Sequence, residues 1–108
     1  MFNLEGKRVW VAGHKGMVGS AVVRRLGIEK CEVLTLERED VNLVDQAGVQ
    51  TWMRVAQPDA IIMAAARVGG INANNTKPVD FLYDNLMIQA NILNAANDIG
   101  VERLLFLG

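Results

Sequence analysis

Four short apolar runs recur along this chain with helix-period segments between them, and that alternation restricts the fold more than any other feature. The runs lie at residues 7–13, 32–36, 59–65 and 103–107, and they are apolar nearly throughout rather than at every second position. A strand with one wet face alternates. A strand apolar on both faces must be covered on both, which is the condition of a parallel sheet between layers of helices. The segments in between supply those helices. Val18, Ala21, Val22 and Leu26 mark the inner stripe of a helix over 17–26, with Arg24 and Arg25 toward water and Gly27 behind it. Asp45 is placed to cap a helix through Val49, Trp52, Met53 and Ala56 that stops before Pro58, and a long helix over 79–99 closes at Gly100.

The chain therefore reads as α/β, the first half of a doubly wound parallel sheet with strand order 3-2-1-4, truncated after the fourth strand. Residues 1–108 are expected to be the N-terminal part of a domain that continues in a longer protein. With 108 residues, 51% hydrophobic and 21% charged, the composition is that of a globular chain. A net charge of −1 gives no electrostatic ground for nucleic acid or an anionic membrane as partner. No apolar run approaches the roughly 20 residues of a spanning helix, and the N-terminus carries no basic-plus-apolar signal. The single cysteine, Cys31, rules out an internal disulfide and suits the cytoplasm. No metal site is expected.

The turn after the first strand reads Gly13-His14-Lys15-Gly16-Met17-Val18-Gly19. Three glycines three apart, leaving a strand and entering a helix, bring bare backbone against a phosphate. Gly13 can make the tight turn, Gly16 has no Cβ to obstruct a pyrophosphate, and Gly19 lets the helix pack close to the strand. The helix N-terminus adds N–H donors and partial positive charge. This is the arrangement of a Rossmann-type dinucleotide site.

The end of the second strand chooses between cofactors, because an acid there accepts from a ribose 2′-hydroxyl and a base pairs with a 2′-phosphate. Glu37 and Arg38 offer both, with side chains expected on opposite faces. Arg38 with Lys15 would make a two-cation clamp, which favours NADP over NAD. Beyond them Glu39, Asp40, Val41, Asn42 and Leu43 present an amide and aliphatic contacts suited to adenine, or simply a turn and a helix entry. Ala64, Ala65 and Ala66 are small enough for a phosphate–ribose backbone to lie over them, though core packing would also accept alanine. The only histidine, His14, sits beside the expected pyrophosphate and reads as positional, and Cys31 as a small core residue. The glycine- and asparagine-rich loop over 69–75 leaves the carboxyl end of a strand, so it is either a plain loop or a ligand contact. The long helix carries two apolar stripes. One comprises Val79, Leu82, Leu86, Ala90, Leu93 and Ala96, and the other Phe81, Ile88, Ile92, Ala95 and Ile99. The second stripe to be covered would meet either a later helix of the same chain or a second subunit, giving a homodimer through residues 79–99.

The loop over 13–21 resembles that of the extended short-chain dehydrogenase/reductases, whose glycines are also spaced three and three. Together with Ala64-Ala65-Ala66-Arg67-Val68-Gly69-Gly70-Ile71-Asn72-Ala73-Asn74-Asn75-Thr76 and the closing Leu104-Leu105-Phe106-Leu107-Gly108, it is similar to the GDP-L-fucose synthase family. That resemblance implies epimerisation of C3 and C5 of GDP-4-keto-6-deoxy-D-mannose and reduction of C4 with NADPH. It implies NADP contacts at residues 13–19, 38–43, Leu107 and Gly108. Lys15 stands where that family commonly has arginine, which keeps the charge without the bidentate fork. The family's catalytic serine, tyrosine, lysine, cysteine and histidine all follow the motif that ends at Gly108. The chain would thus hold the cofactor half of the site, with no catalytic residue, and be inactive alone. The alternative on the same fold is a non-catalytic dinucleotide-binding module that senses redox state.

Overall fold

The first strand is shut away from solvent on both of its faces, and this sets the layers around it. In β1 (Arg8–Ala12) the residues Val9, Trp10, Val11 and Ala12 are at most 1% exposed. Val9 and Val11 pack with Val22, Val23 and Leu26 of α1 (Met17–Leu26). On the opposite face Trp10 and Ala12 pack with Val49 and Met53 of α2 (Gln46–Ala56) and with Ile92, Ala95 and Ala96 of α3 (Pro78–Ile99). The Trp10 ring meets the Trp52 ring at 4.6 Å between centroids, tilted by 55°. The computed structural model describes residues 3–37, 39–64 and 78–107.

Three further strands, β2 (Glu32–Leu34), β3 (Ala60–Met63) and β4 (Arg103–Phe106), pair in parallel in the order β2-β1-β3-β4. Trp10 lies opposite Leu34 on one side and Ile61 on the other. The doubly wound parallel sheet is as expected, but the order 3-2-1-4 is not. The third strand returns to the far side of β1 instead of continuing outward from β2. Two successive right-handed crossovers in the same direction would put α1 and α2 on one face and leave the Trp10 face to α3 alone. Reversing direction carries α2 to the other face. Residues 35–37 and 39–45 hold no strand outside β2; turns fall at 39–40 and 43–44, with the amides of Asp40 and Val41 both donating to the Glu37 carbonyl oxygen. The reversal places a crevice at the carboxyl ends of β1 and β3, the switch point where ligands of such sheets bind.

The helix ends follow local chemistry. α2 stops at Gln57, left-handed at φ 49°, just before Pro58. α3 closes on Gly100, at φ 73°, with the Gly100 amide donating to the Asn97 carbonyl and the Val101 amide to that of Ala96. This paired cap satisfies two orphan carbonyls and turns Val101 back onto the core. Of the two stripes on α3, the one with Ile88, Ile92, Ala95 and Ile99 faces the sheet. In the other, Ala96 is also buried, while Leu86, Ala90 and Leu93 are exposed. Ile88 is therefore a core residue, and any partner would have to meet the stripe of Leu86 and Leu93. The side chains of Val79, Phe81 and Leu82 lie outside the described residues.

Candidate functional site

The loop between β1 and α1 is built on two backbone demands. Gly13 turns at φ 89°, in the region open to glycine. A Cβ on Gly19 would run into the Gly13 carbonyl and approach its carbon at 2.7 Å, so the first turn of α1 lies directly against the loop. Gly16, the N-cap, is different. A Cβ there would meet only the Gly13 carbonyl oxygen, at an ordinary 3.6 Å, and otherwise open space. No side chain caps α1 and its first turn carries no acid, so no side chain takes up the N–H groups that every helix leaves without an internal partner. Met17 and Val18 expose their side chains, and Ser20 Oγ donates back to the Met17 carbonyl at 3.2 Å.

The charges of this loop converge on one carboxylate. Lys15 Nζ lies 2.6 Å from Glu37 Oε2, and His14 Nε2 lies 3.3 Å from Glu37 Oε1. The bond from Lys15, followed by that from His14, outweighs partial burial and holds the Glu37 carboxyl below its ordinary value. The same bond to Glu37 holds the Lys15 ammonium above its own, with a smaller contribution from the charge of Glu39. Glu37 was expected to extend a strand over 32–36. Because β2 ends at Leu34, the carboxylate instead sits on a turn that bends it over the glycine loop, and strand alternation no longer governs where it points.

The next segment is tied down more firmly than its composition suggests. Glu39, Asp40 and Asn42 are exposed, whereas Val41 and Leu43 are half-buried against the core. Asn42 Oδ1 accepts from the Val44 amide at 3.1 Å, so this side chain serves its own turn. Asn91, buried in α3, donates from Nδ2 to the Leu43 carbonyl oxygen at 2.9 Å. Sequence reading passed over Asn91. Its signal was a polar residue on the core-facing stripe, between Ile88 and Ile92. Asp40 and Val41 also line an open depression of about 500 Å³ with Ala47, Gly48, Thr51, Trp52 and Val55, on the outer face of α2.

Ala64 and Leu107 extend the sheet at the same end, the Ala64 amide donating to Ala12 and the Leu107 amide to Met63. The structure thus brings residues 13–19, Glu37, 39–43, Ala64 and Leu107 to the carboxyl edge of the sheet. Arg38, Ala65, Ala66, Gly108 and the loop over 69–75 lie outside the described residues. Cys31 is half-buried with its Sγ against the Leu26 carbonyl, and burial pushes its thiol up. Among the described residues there is no group of acids, histidines and cysteines suited to a metal ion, and no helix long and apolar enough to cross a membrane.

Residues 9–108 match the sequence model of the NAD dependent epimerase/dehydratase family. The chain belongs to this family. Its relatives within the family include the GDP-L-fucose synthase of Sinorhizobium fredii, 53% identical over all of this chain and 34% of that protein. The GDP-L-fucose synthase of Escherichia coli is 47% identical over 94% of this chain and 32% of its own length. The chain therefore spans about a third of the length of these relatives. Among solved structures, a GDP-mannoheptose C4 reductase from Campylobacter jejuni with NADP bound matches all of this chain and 34% of its own. It does so at a TM-score of 0.90 and 29% identity. A GDP-L-fucose synthetase from Naegleria fowleri bound to NADP matches 98% of this chain and 31% of its own, at 0.78 and 25%.

Proposed function

We propose that this chain is the NADP-binding part of a GDP-L-fucose synthase, the enzyme that epimerises C3 and C5 of GDP-4-keto-6-deoxy-D-mannose and reduces C4. The observation that carries this reading is the 53% identity to such a synthase along the whole chain, glycine loop included. The chain's own geometry fits the cofactor. An uncapped helix N-terminus, a Gly16 open on its outer side and a glycine-locked loop make an anion cradle at the switch point of the sheet.

In this reading residues 13–19 hold the pyrophosphate, and Lys15 with Arg38 meets the 2′-phosphate. Residues 39–43 flank the adenosine, while 64–66, Leu107 and Gly108 form the floor. NADPH, when bound, supplies the hydride for reduction of the sugar carbon. The work of this chain is to fix that donor at one distance and orientation from the substrate, which removes much of the entropic barrier to the transfer. The exposed stripe on α3 supports a homodimer, and the lone cysteine is in keeping with a cytoplasmic setting.

The test is to supply the protein bearing this chain with GDP-4-keto-6-deoxy-D-mannose and NADPH. Expected are oxidation of the nicotinamide and appearance of GDP-L-fucose by chromatography. Binding of NADPH with the sugar nucleotide left unchanged would overturn the assigned reaction and favour a sensing module.

A further inference from the structure

We propose that Glu37 sets the cofactor preference of this site by competing for Lys15 with the 2′-phosphate, which must displace the carboxylate to be bound. The inference rests on the dinucleotide reading above and goes beyond it in naming a residue that opposes the expected cofactor. Both carboxylate oxygens of Glu37 are engaged from the glycine loop, Oε2 by Lys15 at 2.6 Å and Oε1 by His14 at 3.3 Å. Glu37 stands three residues beyond the end of β2, where a side chain reaches the adenosine ribose.

One ammonium then faces two anions. A 2′-phosphate brought to this corner draws Lys15 and is repelled by Glu37, and Glu39 adds a second negative charge to the field at the ammonium. A free 2′-hydroxyl meets no such conflict. It can donate to Glu37 while Lys15 stays paired. Glu37 therefore narrows the discrimination that Lys15 and Arg38 would give by themselves, and leaves the site able to take either form of the dinucleotide. His14 also meets the carboxylate, at its other oxygen, so Glu37 is held toward the glycine loop by two contacts.

The experiment is calorimetric titration of the protein bearing this chain with 2′,5′-ADP and with 5′-AMP, which differ only in the 2′-phosphate. Glu37→Gln is expected to tighten 2′,5′-ADP by about fivefold, the order of an exposed charge interaction, with no gain for 5′-AMP. The gain should shrink when Lys15→Gln is added, leaving only the relief of direct repulsion between carboxylate and phosphate; an undiminished gain would overturn competition for Lys15. Unchanged or weaker binding of 2′,5′-ADP by Glu37→Gln would overturn the proposal, because the carboxylate would then be helping Lys15 into place. If neither nucleotide binds even to the unmutated protein, the dinucleotide reading itself falls. A titration of the ligand-free protein followed at the Lys15 Cε resonance gives a second readout. Glu37→Gln should bring the ammonium back toward its ordinary 10.5, and no movement would mean the pair does not form in solution.

Discussion

Asn91 of α3 donates from Nδ2 to the carbonyl oxygen of Leu43 at 2.9 Å, tying a helix of the core to the loop that follows β2. The amide is buried, and the bond joins positions 48 residues apart. Truncation in Asn91→Ala removes the donor, leaves the Leu43 carbonyl to a half-buried setting and opens space beside Ile92. The expected cost is about 1–3 kcal/mol of stability, read from the urea midpoint of the protein bearing this chain. Affinity for NADP should fall as well, since residues 39–43 lose their anchor. An unchanged midpoint would mean that the Leu43 carbonyl is satisfied without Asn91.

Gly16 and Gly19 separate folding from binding. At Gly19 a methyl group collides with Gly13 backbone, which cannot move aside as a side chain would, so Gly19→Ala should lose about 1–3 kcal/mol and bind cofactor poorly. At Gly16 the φ of −71° suits any residue and a Cβ meets only an ordinary contact. Gly16→Ala should therefore keep its thermal midpoint while weakening NADP by about tenfold or more, because the methyl occupies the side a phosphate approaches. Equal loss of stability in the two variants would contradict the distinction between packing and ligand glycines.

Periodicity carried most of this fold but could not carry the strand order. The stretch Val9 to Ala12 announced that β1 is buried on both faces, which already requires a helix on each side, yet the direction of the second crossover is a tertiary choice that the apolar pattern of β3 does not encode. The glycine loop was legible because its roles are backbone geometry, and backbone geometry selects glycine. The grip of Glu37 on Lys15 and His14 was not. It depends on β2 ending at Leu34 and on a turn at Glu37, whereas an apolar run that reaches Leu36 reads as continued strand. Asn91 was hidden for a related reason, since its partner is a backbone carbonyl and no residue type marks that position.

The Lys15–Glu37 pair has a defined pH window. The Glu37 carboxyl is lowered from 4.5 in the folded chain, so its contribution is present above that value and is lost as pH falls through the lowered one. The Lys15 ammonium is raised from 10.5, so its contribution is present below that value and is lost as pH rises through the raised one. Between them the pair is intact. Both side chains are exposed to solvent, so the effect belongs to the order of the loop rather than to global stability and should weaken with salt. Carbon resonances of the Glu37 carboxyl and Lys15 Cε should titrate on the outer sides of 4.5 and 10.5. Ordinary values for both would show that the contact is not populated.

The exposed stripe on α3 makes the last prediction. Tyr83 is 62% exposed, Leu86 56% and Leu93 46%, and Ala90 lies between them, while Ile88, Asn91, Ile92 and Ala95 turn inward. A glutamate at Leu86 or Leu93 stands on the face of α3 that this chain leaves exposed and spares the core, unlike one at Ile88, which packs against it. If two copies pack this face together about a twofold axis, each substitution appears twice at the contact and places like charges in an apolar seam. The double variant Leu86→Glu, Leu93→Glu of the protein bearing this chain should therefore scatter light as a monomer, with its helical circular dichroism unchanged. A variant that keeps the parent's mass would show that the stripe is covered by other segments of the same polypeptide, and the homodimer through α3 would be withdrawn.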